Sequence, residues 1–579
     1  MKLRQSSSYF IAALAALLVS GPVLFAQGYP KVDPAIQREA NERKDAADRR
    51  SDELFAKALP EIAAAKDKPY IPNAGQKSYE ILDTGSAEEI EAWVNRDKSN
   101  LAGTVHEELP QAKIPAFPGA EGGGKYSFGG RGGKILVVTN LNDAGPGSFR
   151  EACETTGPRI IVFNVSGIIR LKDRIRVRAP YITIAGNTAP GDGVCIAGNT
   201  VELETHDIVI RYMRFRRGAL DAADRNDSFG GNPVGNLIID HVSASWGLDE
   251  NMSMYRHMYK PGNGGKELKL PTVNITIQNS IFSEALNTYH HAFGSTIGGM
   301  NSTFHHNLWA CNTGRNPSVG MYGDFTFANN VLFNYRHRTI DGGDHRSFYN
   351  IINNYFKPGP GTPDEAVAHR LLKPESERSK TAVDHFGKAY VNGNIVEGNE
   401  QVTKDNWNGG VQPGSHAPVA QVLPKIRVNE PFKHAPITIE PARDAYEHVL
   451  ANVGATLPKR DAVDQRVVEM VRTGKVTATK INPESKQRAA AVNYAQKWID
   501  ELEELVTKGF ITDPSEVGGY PKYEGTPYKD SDGDGLPDDW ETKFGLDPKN
   551  PADASADLNA DGYTNIEEFI NGRDPRAKN

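Results

Sequence analysis

The chain has 579 residues, too many for one compact core, and at roughly 150 residues per domain this length predicts several units or one long repetitive one. Charged residues make up 24% and hydrophobic ones 38%, with a formal net charge of -7, which excludes wholesale disorder and a basic protein that coats nucleic acid. Three cysteines permit at most one disulfide, while 56 glycines and 36 prolines predict many turns between short strands.

Residues 1–26 combine basic Lys2 and Arg4, an apolar run from Phe10 to Leu18, a Gly21-Pro22 break and a small Ala26. That order reads as a secretory signal peptide and predicts a secreted protein, extracellular or periplasmic. The run is shorter than the ~20 residues that cross a bilayer, and no other stretch is apolar enough to span one. Residues 27–112 form a charged, Ala-rich arm that predicts exposed helices and carries no visible chemistry.

From 113 to 415 the chain becomes a series of short alternating β runs, among them YITIAGN, DIVIRYMRF, NLIIDHVSASW, NITIQNSIF, STFHHNLW, DFTFANNVLF and YNIINNYF. Aligning Ile182, Ile208, Leu237, Ile275, Thr303, Phe325 and Asn350 gives steps of 26, 29, 38, 28, 22 and 25 residues, a nearly constant minimum with insertions. Coils of fixed minimum length with variable loops describe a solenoid. Asn279, Asn307, Asn330 and Asn354 recur at corresponding places, where stacked amides at ~4.8 Å would mark a corner. The fold predicted is all-β, a parallel β-helix. A β-sandwich would turn about every 8–12 residues instead.

The glycine-rich stretch 117–133 lacks the ending of a phosphate loop and is expected to cap the start of the solenoid. Helical patterns beginning at 442 and 487 place a helical packing segment at 416–515. In the tail, 516–579, Asp530, Asp532, Asp534, Gly535, Asp538 and Glu541 stand at positions 1, 3, 5, 6, 9 and 12 of a calcium loop. Asp557, Asn559, Asp561, Gly562, Asn565 and Glu568 repeat the pattern 27 residues later, and Leu536 and Tyr563 would offer backbone carbonyls. These paired loops resemble those of dockerin and EF-hand modules, which implies Ca2+ and a possible docking partner.

The segments IIDHVSASWGLDENMSMY (238–255) and FHHNLWACNTGRNP (304–317), with FANNVLFNY after them, resemble polysaccharide lyase family one, the pectate lyases. The resemblance covers about 117–400. It implies a right-handed parallel β-helix, cleavage of polygalacturonate by β-elimination, and calcium as cofactor. Carried over residue by residue, it puts Asp227 and Asp249 at calcium-ligand positions, with Glu250 adjacent and Ser253 where a second acid is usual. Arg315 falls on the position of the catalytic base. Its guanidinium ordinarily keeps its proton, so it could equally clamp a substrate carboxylate while His290 or His291 takes the proton. Gly320 replaces a further family arginine, a contact that Arg336, Arg338 or Arg346 would supply. Asp240, His241 and Cys311 read as structural, and so does at least one of His305 and His306, since adjacent imidazoles can bind zinc but only one of two neighbours on a strand points to a given face. Two rivals stay open: a glycoside hydrolase on the same solenoid, and a calcium-stiffened carbohydrate-binding protein without catalysis.

Overall fold

The computed structural model describes residues 33–64, 92, 109, 111–219, 224–259, 267–376, 384–491 and 496–577. The signal-peptide reading and most of the arm that follows it lie outside the described residues. Ten parallel strands, in chain order from Lys134–Val138 to Lys388–Asn392, form one sheet. Nine more, from Gly167–Arg170 to Ile395–Val396, form a second. The third face consists of two four-stranded parallel sheets, from Ile175–Val177 to Met252–Ser253 and from Thr296–Ile297 to Leu372–Pro374. Parallel bridges Glu250–Phe293 and Met254–Ile297 join those two sheets. Every coil pairs with the next in sequence, which is the predicted parallel β-helix.

The interior is one continuous apolar column, from Val138 at one end to Ile426 at the other. Its register follows the pleat: Ile277, Phe304, Phe327 and Ile351 sit on successive strands. The sequence alignment slips by one residue at two places, because Ile275 pairs with Ser302 and Phe325 with Tyr349, not with Thr303 and Asn350. A one-residue slip would exchange inner for outer side chains, and inward-facing Phe304 forbids it.

An asparagine ladder closes one corner. Asn330 Oδ1 accepts from the Asn307 backbone N–H at 2.9 Å and from Asn307 Nδ2 at 3.1 Å, while its own Nδ2 donates to the Phe304 carbonyl at 2.9 Å. Asn354, Asn394 and Asn406 continue the pattern. Asn279 is not part of it: Ser280 occupies that rung, and Asn279 takes the preceding left-handed position, φ 51°, where Asn is better tolerated than most residues.

The glycine-rich stretch 117–133 does not cap an end. It runs as a strap across the outer face of the ten-stranded sheet, with Gly123 and Gly124 donating to Thr303 and Thr276 Oγ1 at 3.2 and 2.9 Å. A Cβ on Gly124 would lie 2.0 Å from the Leu237 carbonyl oxygen, so only glycine permits this approach. Helices Ala442–Asn452 and Ala462–Thr473 cover the nine-stranded sheet through Val449, Leu450, Val467 and Val471 against Ile281, Leu308 and Val331. Arg216, fully buried, pins this cover by bonding Asp461 and Asp464 at 2.9 to 3.0 Å. The N-terminal helix Pro34–Ala64 docks its Asp48 and Asp52 on Arg174, Arg176 and Arg178. Cys153, Cys195 and Cys311 are buried and free.

Removing a central rung of the ladder strands several buried donors and acceptors at once. Asn330→Ala should lose about 3 kcal/mol of stability in denaturant unfolding; a loss below about 1 kcal/mol would mean that the ladder is not a main support of the corner.

Candidate active site

The third face carries the chemistry because its coils leave side chains pointing outward at a shared height. Backbone hydrogen bonds run from Ser228 N–H to the Glu250 carbonyl, from Asn251 N–H to Phe293, and from Ser295 N–H to Arg315, at 3.1, 3.1 and 2.8 Å. Asp227, Glu250, Phe293 and Arg315 are thereby brought onto neighbouring coils although 88 positions separate the first from the last. Arg315 sits at φ 53°, a left-handed turn that directs its side chain back across this face.

Glu250 is the hub. Its backbone N–H donates to Asp227 Oδ1 at 3.1 Å, its Oε1 accepts from Thr296 Oγ1 at 2.7 Å and from the Arg315 guanidinium, and its Oε2 accepts from Ser253. Ser253, where an acid was expected, therefore orients Glu250. Burial, together with the charges of Glu250 and Asp249, drives the Asp227 carboxyl well above the usual carboxylate range. Burial also works to raise Asp249, but His291, with Nδ1 2.6 Å from Oδ1, outweighs it and holds that carboxyl below its usual range. The donor set is entirely oxygen, the kind that suits a hard divalent cation, and the repulsion felt at Asp227 is what such a cation would relieve. The trio is open, since its oxygens do not all fall within 4.8 Å of one another.

Arg315 lies over the Phe293 ring at 4.6 Å, and Arg338 faces the same ring at 5.1 Å. Beside them is a cleft of about 520 Å³ lined by Tyr255, Lys269, Thr296, Arg315, Tyr322 and Arg346. Arg346 stacks on Tyr322 at 3.8 Å. A slightly larger hollow, about 570 Å³, lies between the N-terminal helix and Phe149–Glu154, away from this cluster.

The structure brings Asp227, Asp249, Glu250, His291 and Arg315 together and sets Arg338 and Arg346 beside them. It does not do so for His290, whose ring stacks on Trp498 of the helical cover at 4.9 Å, or for Arg336, which lies near His290 and His337. His290 closes the short helical turn Asn287–Tyr289 in a left-handed conformation, φ 55°, so the chain turns there and it is His291 that meets Asp249. Tyr255, Lys269 and Tyr322 escaped the sequence reading. The signal for the first two was the 38-residue step between Leu237 and Ile275, whose insertion is the antiparallel hairpin Arg256–Tyr259 and Leu268–Pro271. His241 and Asp240 pair at 2.8 Å, and His306 bonds Glu440 at 2.9 Å, both outside the cleft.

In the tail, the two loops share one internal geometry. Asp530 accepts from Gly535 N–H and Asp557 from Gly562 N–H, at 3.0 and 2.9 Å, while Asp534 and Asp561 accept from the N–H of Leu536 and Tyr563 at 2.9 Å. Asp538 does not converge with the others: its oxygens accept from Lys529 and Ser531 at 2.6 to 2.8 Å. Asn565 Nδ2 donates to the Asp553 carbonyl at 2.8 Å, Asn559 reaches Glu568 at 3.4 Å, and the Tyr563 hydroxyl donates to the Pro115 carbonyl at 3.0 Å. Burial and its acidic neighbours push Glu541 up to about 8, and Asp534 to about 6.

No family model matches the chain. "Probable pectate lyase C" of Aspergillus fumigatus (strain CBS 144.89 / FGSC A1163 / CEA10) is 34% identical over 474 residues, which are 80% of this chain and 94% of that one. "Probable pectate lyase C" of Aspergillus terreus is 35% identical over 474 residues, again 80% and 94%. A solved pectate lyase bound to a hexasaccharide aligns over 58% of this chain and 96% of its own, at 15% identity and a TM-score of 0.38. With a third of its residues shared along nearly the whole length of those relatives, the chain belongs to the pectate lyase family.

Proposed function

We propose that the protein is a secreted, calcium-dependent lyase that cleaves polygalacturonate, or a similar polyuronate, by β-elimination in the cleft beside Arg315. The observation that carries this reading is the juxtaposition of a carboxylate trio with a row of cations, Arg315, Lys269 and Arg346, along one open groove. A polyuronate presents one carboxylate per sugar, so a strip of cations at successive coils matches the spacing of its charges better than any neutral glycan.

In the elimination, the C5–H bond beside the uronate carboxylate breaks, its electron pair forms the C4–C5 double bond, and the C4–O bond to the next sugar breaks. The departing oxygen takes a proton from water. Calcium, when bound by Asp227, Asp249 and Glu250, supplies positive charge that neutralises the substrate carboxylate and acidifies that C–H. His291, buried against Phe293, holds Asp249 in place and keeps it ionised. Ser253 and Thr296 fix the two oxygens of Glu250. Arg315 is the basic group directed at the reacting carbon. Its ion pair with Glu250 holds the guanidinium protonated, so that pair must open before Arg315 can take the proton. Arg338 and Arg346 hold the neighbouring uronates. The first tail loop is a calcium loop on the same reading, while in the second Arg573 stands beside Asp561 and Glu568; no docking partner is part of this reading, because the apolar face of the tail is used within the chain.

Elimination leaves an unsaturated uronate that absorbs in the ultraviolet, whereas hydrolysis does not. Arg315→Ala should lower kcat about a thousandfold in that assay while polygalacturonate binding changes little; turnover near wild type would rule out the assignment. Chelation should abolish turnover and added Ca2+ restore it. Glu250→Gln should raise the Ca2+ concentration for half-maximal activity about tenfold or more. Reducing-end release with no ultraviolet product would favour the hydrolase reading instead.

A further inference from the structure

The tail carboxylates converge outside the loop pattern that the sequence suggests. Oxygens of Asp530, Asp532 and Asp534 lie within 4.8 Å of one another, and so do oxygens of Asp534, Glu541 and Asp553. Asp553 belongs to neither loop; it comes from the short helical turn Asp553–Ser555 that connects them. Glu541 is 0% exposed and neither of its oxygens has a hydrogen-bond partner. Oδ2 of Asp532, Oδ2 of Asp534 and Oδ1 of Asp553 are likewise buried without a donor. Unpaired buried carboxylates cost several kcal/mol each, and the only partner that satisfies this many hard oxygens at once is a divalent cation of calcium's kind. The second loop is different, since Arg573 stands 3.4 Å from Glu568 and 3.6 Å from Asp561 and supplies positive charge from within the chain.

The same residues sit on the solenoid wall. Leu536 and Ala554, each next to proposed ligands, are buried in one cluster with Ile160, Val162 and Ala185 of the ten-stranded sheet. Polar contacts frame that cluster: Asn164 and Tyr528 exchange two hydrogen bonds at 2.9 and 2.8 Å, Arg131 pairs with Glu567 at 2.9 Å, and Asn187 Nδ2 donates to the Ile570 carbonyl at 2.7 Å. We propose that Asp530, Asp532, Asp534 and Glu541, joined by Asp553 from the inter-loop turn, hold one Ca2+ that fastens the tail to the first coils as an internal staple. The ion draws Asp553 and Glu541 together, which fixes Leu536 and Ala554 against Val162. Its role is structural and separate from any ion in the cleft.

The test uses the full chain. Thermal melting of the wild type should show a melting temperature that falls on chelation and returns with added CaCl2. Asp553→Asn and Glu541→Gln should each move the Ca2+ midpoint of that return at least about tenfold higher. Glu250→Gln, in the cleft, should leave this midpoint unchanged, so that failure of the catalytic reading and failure of the staple are told apart. Because Glu541→Gln replaces a buried carboxyl that no donor in the chain satisfies with a neutral group of the same shape, its chelated form should be no less stable than chelated wild type. A chelated variant that melts earlier would mark Glu541 as a plain structural residue and overturn the proposal. So would a wild-type melting temperature indifferent to Ca2+, or an Asp553→Asn midpoint equal to that of wild type.

Discussion

The structure depends on coil-to-coil backbone pairing that cannot slip. In a parallel β-helix each N–H and C=O of one coil is satisfied by the next, and the lateral position of every outward side chain follows from that register. The asparagine ladder reinforces it at one corner, because each rung spends its oxygen on the N–H of the rung before it and its amide on a carbonyl and the next rung. With the register fixed, side chains far apart in the chain become neighbours about one strand spacing away. Asp227, Glu250, Phe293 and Arg315 are such a set.

That set is electrostatically unbalanced by construction. Three carboxylates share a partly buried wall, answered by Arg315 and His291 with a contribution from Arg225. The strained member is Asp227, raised by burial and by its neighbours, and the settled one is Asp249, held ionised by His291. A site that folds with surplus negative charge on one side and cations along the groove beside it keeps its two kinds of charge apart. Both guanidinium groups lie against the Phe293 ring, and they turn to different partners: Arg315 to Glu250 and Arg338 to Asp341, the latter at 3.4 Å.

Much of this was legible in the sequence because it is periodic. The repeat near 25 residues disclosed the solenoid, and the family resemblance named Asp227, Asp249, Glu250 and Arg315, which the fold brings together as a candidate site. What failed was local direction. Asn279 and Asn307 look alike in sequence, yet one sits in the left-handed corner position and the other inside the ladder, and only the pleat distinguishes them. His290 and His291 are adjacent alternatives, and the left-handed turn at His290 stacks that ring on Trp498 of the helical cover and leaves His291 beside Asp249. Lys269 and Tyr255 reach the cleft from an insertion, where periodicity carries no information. Asp553 lies outside both twelve-residue loops, so a motif search passes over it.

The outer faces of a parallel solenoid are a liability, because their backbone is paired but their apolar side chains invite association with another chain. This chain covers them with its least regular segments. The glycine strap lies on one part of the ten-stranded sheet, the tail lies on another, the helices Ala442–Asn452 and Ala462–Thr473 close the nine-stranded sheet, and the N-terminal helix is held at Arg174 and Arg176. The third face is left comparatively uncovered, and there the strands are only two or three residues long. Short strands are what lets loops such as the hairpin Arg256–Tyr259 and Leu268–Pro271 rise on both sides and form a groove. Protection of the other faces and access at this one are therefore the same arrangement: the cleft lies where the solenoid is most able to admit an extended, charged chain.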